Sequence, residues 1–377
     1  MHVCQVIETT IGGTRRHIVD LARAQVRRGH AVTLVSAALR DPAYRGDLAE
    51  LARAGVRCVD LPMTRSIRPA GDLAHLGALV RLLREARPDV LHTHSSKAGV
   101  LGRLAAREVG LDATVHTPHT FAFLFADMFG PLKRALFRGL EQALAGSTAR
   151  VVAVSRSEAA TIRAAGVVPA ERLRVVPNGI DPAPWRAAEP CPRAELGVAP
   201  DAPLVLVAGL LNVAKGQDLA LRALARPELA QVELLVAGHG ELEAELRALA
   251  GALGVASRAH FLGWRDDLPR LMAAADALLL PSRWEGLPYV VLQAFAAGLP
   301  VCAARVDGAL ELVEEGRTGT LADVGDVAGL AAALARLLAL PRAARADLGR
   351  AGAARVEAGY TVERMAEGLD GVYGEVA

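Results

Sequence analysis

The stretch LLLPSRWEGLPYVVLQAFAAGLP, residues 278–300, does most to limit the folds open to this chain. Ala277 to Leu280 is an uninterrupted apolar run closed by Pro281 and Ser282, the pattern of a short strand buried on both faces of a parallel sheet. A helix is expected from about Tyr289 to Ala297, introduced by Gly286 and Pro288 and stopped by Gly298 and Pro300. Between strand and helix stands one carboxylate, Glu285. The free backbone N–H groups of such a helix start favour an anion, so the turn is a candidate site as well as a fold signal.

The same grammar runs through the chain twice. Val3 to Ile7 reads as a strand, followed by Gly12-Gly13, a helix from about Arg15 to Arg28 and a strand from Ala31 to Ser36. Further strands are expected at Val90 to His94 and Ala113 to His116, with a helix over Leu73 to Arg87. The turn-rich VVPNGIDP interrupts the pattern, which restarts at Leu204 to Ala208 and continues through strands at 233–237, 260–262, 277–280 and 301–303. Short strands alternating with helices predict an α/β protein with two Rossmann-like, doubly wound domains, residues 1–176 and 177–360. The helical segment 361–377 is expected to pack back on the first domain. Ligands of such sheets bind beyond the carboxyl ends of the strands, so an interdomain cleft is the expected site.

Composition agrees with two domains rather than one. The 377 residues exceed a comfortable single core, and 52% hydrophobic residues with only 4% aromatic ones imply cores of Ala, Leu and Val. The formal charge of +2 conceals an asymmetry: residues 1–176 hold 25 Lys and Arg against 15 Asp and Glu, and the remainder holds 18 against 26. A basic first half fits an anionic partner such as a membrane surface or a phosphorylated acceptor, and equally a solvated arginine-rich surface. No basic, aromatic-interleaved cluster reads as a nucleic-acid site. Cys4, Cys58, Cys191 and Cys302 are far apart, which argues against a zinc knuckle or a disulfide framework. The opening MHVCQVIE reads as a strand rather than a signal peptide, and no apolar window has membrane-spanning length, so a cytoplasmic protein is expected.

Several side chains are candidates for chemistry. Gly12-Gly13 permits close backbone approach to a ligand, or simply a tight turn, and it is not the full dinucleotide fingerprint. Lys215 is one of three lysines in a chain with 40 arginines, and a compact ammonium beyond a strand suits a diphosphate. His116 and His119 lie at a strand end, where an imidazole can hydrogen-bond a substrate. His92 and His94 share one strand face but lack a nearby acidic third ligand, and are read as structural, with no metal site expected. Five of seven phenylalanines fall within 121–137, beside Lys133, Arg134 and Arg138. Segment 121–138 is therefore either a buried lid or a peripheral membrane contact.

Taken in order, IGGTRRHIVDLA, DVLHTHSSKAGVLGRLAA, VHTPHTF, VVPNGID, Lys215-Gly216, PSRWEGLPYVVLQAFAAGLPV and EEGRTG resemble the retaining glycosyltransferases of family four, which have the GT-B fold. The likeness spans nearly the whole chain. It implies a nucleotide-diphosphate sugar, UDP- or GDP-linked, as donor substrate of the C-terminal domain, and a hydroxyl acceptor, small or lipid-linked, on the N-terminal domain. It implies no cofactor and no metal. By the resemblance Glu285 lies near the donor sugar and its phosphate, with Gly286, Leu287 and Pro288 beside it. Lys215 binds the diphosphate, His119 is the catalytic-site histidine, and Gly12-Gly13 lies beside the phosphate and acceptor. Gly263, Trp264 and Arg265 approach the base.

Two positions depart from the family pattern. Gln293 stands where a second Glu is usual, and its amide can still hydrogen-bond a ribose hydroxyl. Leu210 stands where an Arg usually joins the lysine; a lost charge-assisted contact is worth about 1.5–3 kcal/mol, roughly ten- to a hundredfold in donor binding. Arg265, Arg283 and Arg305 are the candidate replacements. The main expectation is a metal-independent retaining transferase in polysaccharide, glycolipid or glycosylated-metabolite synthesis. The alternatives are a weakly active or inactive GT-B protein that binds nucleotide sugar or a partner enzyme, and an epimerase acting on sugar nucleotides.

Overall fold

The computed structural model describes residues 1–39, 41, 43–64, 66–125 and 129–377, arranged as two compact units. Unit 1 comprises Met1–Asn178 together with Val362–Ala377, and unit 2 comprises Gly179–Thr361. Each is a parallel sheet flanked by helices, as the alternation of apolar runs and helical stretches requires.

In unit 1 the strands are β1 (His2–Ile7), β2 (Ala31–Ser36), β3 (Arg57–Asp60), β4 (Val90–His94), β5 (Thr114–Thr117), β6 (Arg150–Ala153) and β7 (Leu173–Val175). Their order is β3-β2-β1-β4-β5-β6-β7, with all neighbours parallel. The order reverses between β1 and β4, and the crevice outside their carboxyl ends is the ligand position of a doubly wound sheet. The C-terminal helix Val362–Gly374 belongs to this unit: Met365, Leu369, Val372 and Tyr373 pack against Val3, Val90 and Val115. That helix also answers part of the basic excess of the first half. Its acids Glu363 and Asp370 pair with Arg27 and Arg28, and Glu375 beyond it pairs with Arg150 and Arg174.

Unit 2 repeats the plan with β8 (Leu204–Ala208), β9 (Glu233–Ala237), β10 (Ala259–Gly263), β11 (Ala277–Leu280), β12 (Val301–Ala304) and β13 (Gly319–Ala322). The order is β10-β9-β8-β11-β12-β13, again parallel, so the switch lies between β8 and β11. All four residues of β11 and of β12 are buried, which is why their sequences show no polar alternation.

The structure shifts some sequence boundaries. The first helix runs over Gly12–Arg27, so the glycine pair forms its first turn instead of a separate loop. Gly12 has φ +59°, a conformation that costs other residues Cβ strain. β5 reaches Thr117, one residue past the expected end. β3, β6, β7 and β13 went unread, each a run of only three or four residues that offers too little periodicity. Among the described residues no single helix is long and apolar enough to cross a membrane.

Candidate active site

In unit 2 the β8 and β11 loops meet at the switch point. Lys215 follows β8 and Glu285 follows β11; the Lys215 ammonium donates to both carboxylate oxygens, at 2.7 and 2.9 Å. Ser282 Oγ donates to Glu285 Oε1 at 2.8 Å, so three groups from two loops form one polar cluster. The backbone explains the meeting. Asn212 Oδ1 accepts the Lys215 N–H and caps the short turn Val213–Lys215. Gly216 then turns the chain with φ +64°, and a Cβ there would stand 2.2 Å from the Pro281 carbonyl oxygen. Only glycine lets the two loops come this close.

Charge pairs tighten the same junction. Arg283 reaches both Asp218 oxygens, at 2.8 and 2.7 Å, and donates to the Val213 carbonyl. Burial raises the Asp218 carboxyl, but the Arg283 hydrogen bonds and charge prevail and hold it below its usual value. The three arginines named as replacements for Leu210 are all engaged with acids: Arg283 with Asp218, Arg265 with Asp267, and Arg305 with Asp323. Gly286, Leu287 and Pro288 lead from Glu285 into the helix Tyr289–Ala296, on which Gln293 is half-buried. Gly263 ends β10 with φ +65°, and Trp264 is exposed beside His239, with ring centroids 5.3 Å apart. That aromatic corner could flank a planar ring, and nothing in the sequence signalled the part of His239.

Unit 1 concentrates imidazoles at the equivalent switch, the carboxyl ends of β1, β4 and β5. Parallel register sets Gln5 beside His92 and His94 beside Thr117. His94 Nε2 lies 2.7 Å from Gln5 Oε1, and its Nδ1 lies 3.2 Å from His119 Nε2. His17, on the first helix, meets Asn178 Oδ1 through Nδ1 at 3.1 Å, and its ring packs edge-on against His119. His92 turns instead to Tyr373 Oη and Thr117 Oγ1, at 2.7 and 2.8 Å. Burial lowers the His17 pKa to about 4 and those of His92, His94, His116 and His119 well below 6.5; for His94 the neighbouring imidazoles push further down. All five rings are neutral at ordinary pH.

His119 sits on strained backbone, with φ +50°, followed by Thr120 at φ +78°. A β-branched residue rarely adopts that conformation, and such outliers persist only where surroundings hold them. The holder here is buried Glu158, whose carboxylate accepts the Thr120 and Val154 N–H groups, each at 2.7 Å. His116 points to the other sheet face, bonded to Thr93 and packed on Gly99, which separates it from His119. Of the two helix starts at this switch, that of Ser96–Val109 is filled by Glu8, which accepts the Lys97 and Ala98 N–H groups. The Gly12–Arg27 start has no acid in its first turn.

Each unit thus gathers its own candidates: Lys215, Glu285, Gly286, Leu287, Pro288 and Gln293 around the unit 2 switch, Gly12, Gly13 and His119 around that of unit 1. The sequence reading missed Asn212 and Ser282, whose partners Lys215 and Glu285 are only three residues on, and Glu158, His17 and Asn178, whose partnerships span 38 residues for Glu158 with Thr120 and 161 for His17 with Asn178. Residues 126–128 of the 121–138 segment lie outside the described residues. Within the rest, the helix Pro131–Ala145 exposes Leu132, Leu136 and Leu140, at 85%, 62% and 38%.

The glycosyltransferase family 4 model matches residues 11–184, and the glycosyl transferases group 1 model matches residues 192–355. The chain is 31% identical to a D-inositol 3-phosphate glycosyltransferase of Acidothermus cellulolyticus, covering 96% of this chain and 85% of the relative. It is 29% identical to the UDP-Gal:alpha-D-GlcNAc-diphosphoundecaprenol alpha-1,3-galactosyltransferase of Escherichia coli, over 78% and 77% of the two chains. Among solved structures, Anabaena HepE in complex with UDP and glucose superposes with a TM-score of 0.83 at 25% identity, covering both chains completely.

Proposed function

Because the chain belongs to glycosyltransferase family 4 and has the GT-B fold, we propose that it transfers a sugar from a UDP-sugar to a hydroxyl of a lipid-linked glycan, with retention at the anomeric carbon. The observation that carries this reading is the Lys215–Glu285–Ser282 cluster at the β8/β11 switch of unit 2. An ammonium has three N–H donors, and two are spent on Glu285. The third is available to a diphosphate oxygen without breaking the pair.

In the proposed reaction the acceptor oxygen attacks the anomeric carbon on the face from which the nucleoside diphosphate leaves. The bond from that carbon to the phosphate oxygen breaks as the new glycosidic bond forms, and the acceptor proton passes to the leaving phosphate. Lys215 and the backbone N–H groups at the start of the helix Tyr289–Ala296 stabilise the developing negative charge, the contribution a metal makes in other transferases. Glu285 orients Lys215 and faces the sugar, Gln293 the ribose, and Gly263, Trp264 and Arg265 the base. In unit 1, neutral His119 donates or accepts a hydrogen bond to a sugar hydroxyl, and Gly12-Gly13 approach the phosphate and acceptor. UDP is preferred as the nucleotide because the Escherichia coli relative is named for UDP-Gal and HepE is seen with UDP.

The lipid-linked acceptor rests on the same relative's diphosphoundecaprenol substrate and on the helix Pro131–Ala145, where exposed leucines stand beside Lys133, Arg134 and Arg138. Apolar bulk flanked by cations suits the rim of an anionic bilayer. A second reading, donor binding without turnover, draws on Leu210 and Gln293. Incubating the protein with UDP- and GDP-sugars, with polyprenyl-diphosphate-linked or simple hydroxyl acceptors, and measuring nucleoside diphosphate release tests both. Release with an α-linked product from an α-linked donor supports retaining transfer. Binding without release supports the second reading, and neither binding nor release by folded protein overturns both.

A further inference from the structure

We propose that His17, His94 and His119 of unit 1 form a binding site for one zinc-type divalent ion. One ring nitrogen from each residue lies within 4.8 Å of the other two, although the three come from the first helix, the end of β4 and the loop after β5. Zinc–nitrogen bonds of about 2.0–2.1 Å in a tetrahedron place ligand nitrogens about 3.3–3.4 Å apart. His94 Nδ1 and His119 Nε2, at 3.2 Å, already stand at that spacing. The remaining edges need to close by at most about 1.5 Å, which small ring rotations supply.

The outer partners select the nitrogens. Gln5 Oε1 can only accept, so His94 carries its proton on Nε2 and presents a lone pair at Nδ1. The Gln5 amide is itself fixed, because its NH2 group donates to Gln25 Oε1 and Tyr373 Oη. Likewise Asn178 Oδ1 accepts from His17 Nδ1, which makes Nε2 the lone-pair nitrogen of His17. An imidazole whose far nitrogen donates to a carbonyl is the usual arrangement of a metal ligand. With the lone pair of His94 at Nδ1, the 3.2 Å contact has His119 Nε2 donating, so coordination requires that proton to move to His119 Nδ1 as the ion enters.

The donor set indicates the ion. The group contains imidazoles and no carboxylate, which suits zinc, cobalt, nickel or copper and disfavours magnesium and calcium. A tetrahedral ion held by three protein nitrogens keeps a fourth place for water or a hydroxyl. The strained turn at His119 and Thr120, clamped by Glu158, holds the third ring toward the other two. The competing interpretation is a metal-free stack in which His119 donates to His94, and it predicts no stoichiometric ion uptake. The site uses unit 1 residues alone but shares His119 with the proposed sugar contact; ion uptake is read without donor or acceptor, so its failure and that of the transfer reaction are distinguishable.

The test uses the full chain, stripped with a chelator and desalted, then titrated with Co2+ while visible absorption is followed, and with Zn2+ against a chromophoric chelator. One equivalent of Co2+ per chain should give the intense absorption of a four-coordinate site and be displaced by Zn2+ but not by Mg2+. His17→Gln and His94→Gln should abolish it, whereas H239Q and H260Q, in unit 2, should leave it unchanged. Asn178→Leu and Gln5→Leu keep all three ligands and should weaken binding about 10- to 100-fold. They also decide the matter if a ligand variant fails to fold. Absence of saturable one-equivalent binding, equal competition by Mg2+, or binding that survives both His17→Gln and His94→Gln would overturn the proposal.

Discussion

Lowering the pH from 7.5 to 5 should destabilise unit 1 selectively, and His17 sets the scale. Its pKa falls from 6.5 to about 4 on folding because burial removes the charged ring from water. The sign follows from proton counts. Between pH 6.5 and 4 the unfolded ring is protonated and the folded ring is not, so the unfolded state binds more protons and stability falls as pH falls. At pH 5 this one residue costs about 2 kcal/mol, and the loss levels off below about pH 4. His92, His94, His116 and His119 are shifted in the same direction and add to it. Against a typical domain stability of about 5–15 kcal/mol, the change is large. Urea unfolding at both pH values, read by hydrogen exchange of unit 1 peptides, measures it. Trp185, Trp264 and Trp284 all lie in unit 2, whose histidines are not buried, so tryptophan fluorescence supplies the internal reference. His17→Gln should reduce the pH dependence of unit 1 by about 2 kcal/mol, whatever it does to stability at pH 7.5. An unchanged slope in that variant, or equal slopes for the two units, would refute the reasoning.

Replacing Lys215 by Met should lower kcat/KM for the donor roughly ten- to a hundredfold, since one charge-assisted contact is worth about 1.5–3 kcal/mol; steady-state kinetics with the preferred UDP-sugar reads it. Leu210→Arg should tighten donor binding by a similar factor in calorimetry, because the neighbouring arginines are already paired with acids. Gly216→Ala drives a Cβ into the Pro281 carbonyl at a left-handed φ, and the tryptophan-monitored urea midpoint should show a loss of more than about 1 kcal/mol. Arg103 is buried and donates to both oxygens of Glu141, whose carboxyl burial pushes up; Arg103→Leu should cost unit 1 about 3–5 kcal/mol by hydrogen exchange, as it leaves a buried acid without its cation.

What could be read from the sequence was what depends on near neighbours. Apolar runs such as Ala277 to Leu280 and the glycine and proline stops gave the two sheets, and the scarcity of lysine drew attention to Lys215. What could not be read depends on separations that periodicity does not carry. Glu158 clamps Thr120 and Arg103 meets Glu141, each across 38 residues, and no local pattern marks either pair. The alternation in VLHTH correctly set His92 and His94 on one face. It gave no hint that His94 would turn to His119 and approach His17 while His92 turned to Tyr373.

The two departures from the family pattern have unequal weight once the unit 2 loops are seen. Gln293 replaces a charge by an amide, on a half-buried helix position, and an amide retains both donor and acceptor capacity toward a hydroxyl. Leu210 removes a cation from a junction where the other cations already have acids: Lys215 has Glu285, and Arg283 has Asp218. An arriving diphosphate therefore meets a cluster close to internal neutrality. It must be held by the remaining N–H of Lys215 and by backbone N–H groups, not by excess positive charge. Dipoles and hydrogen bonds at close range are screened less by salt than separated surface charges are. Donor affinity in this chain should accordingly depend weakly on ionic strength, and Leu210→Arg should steepen that dependence as it strengthens binding.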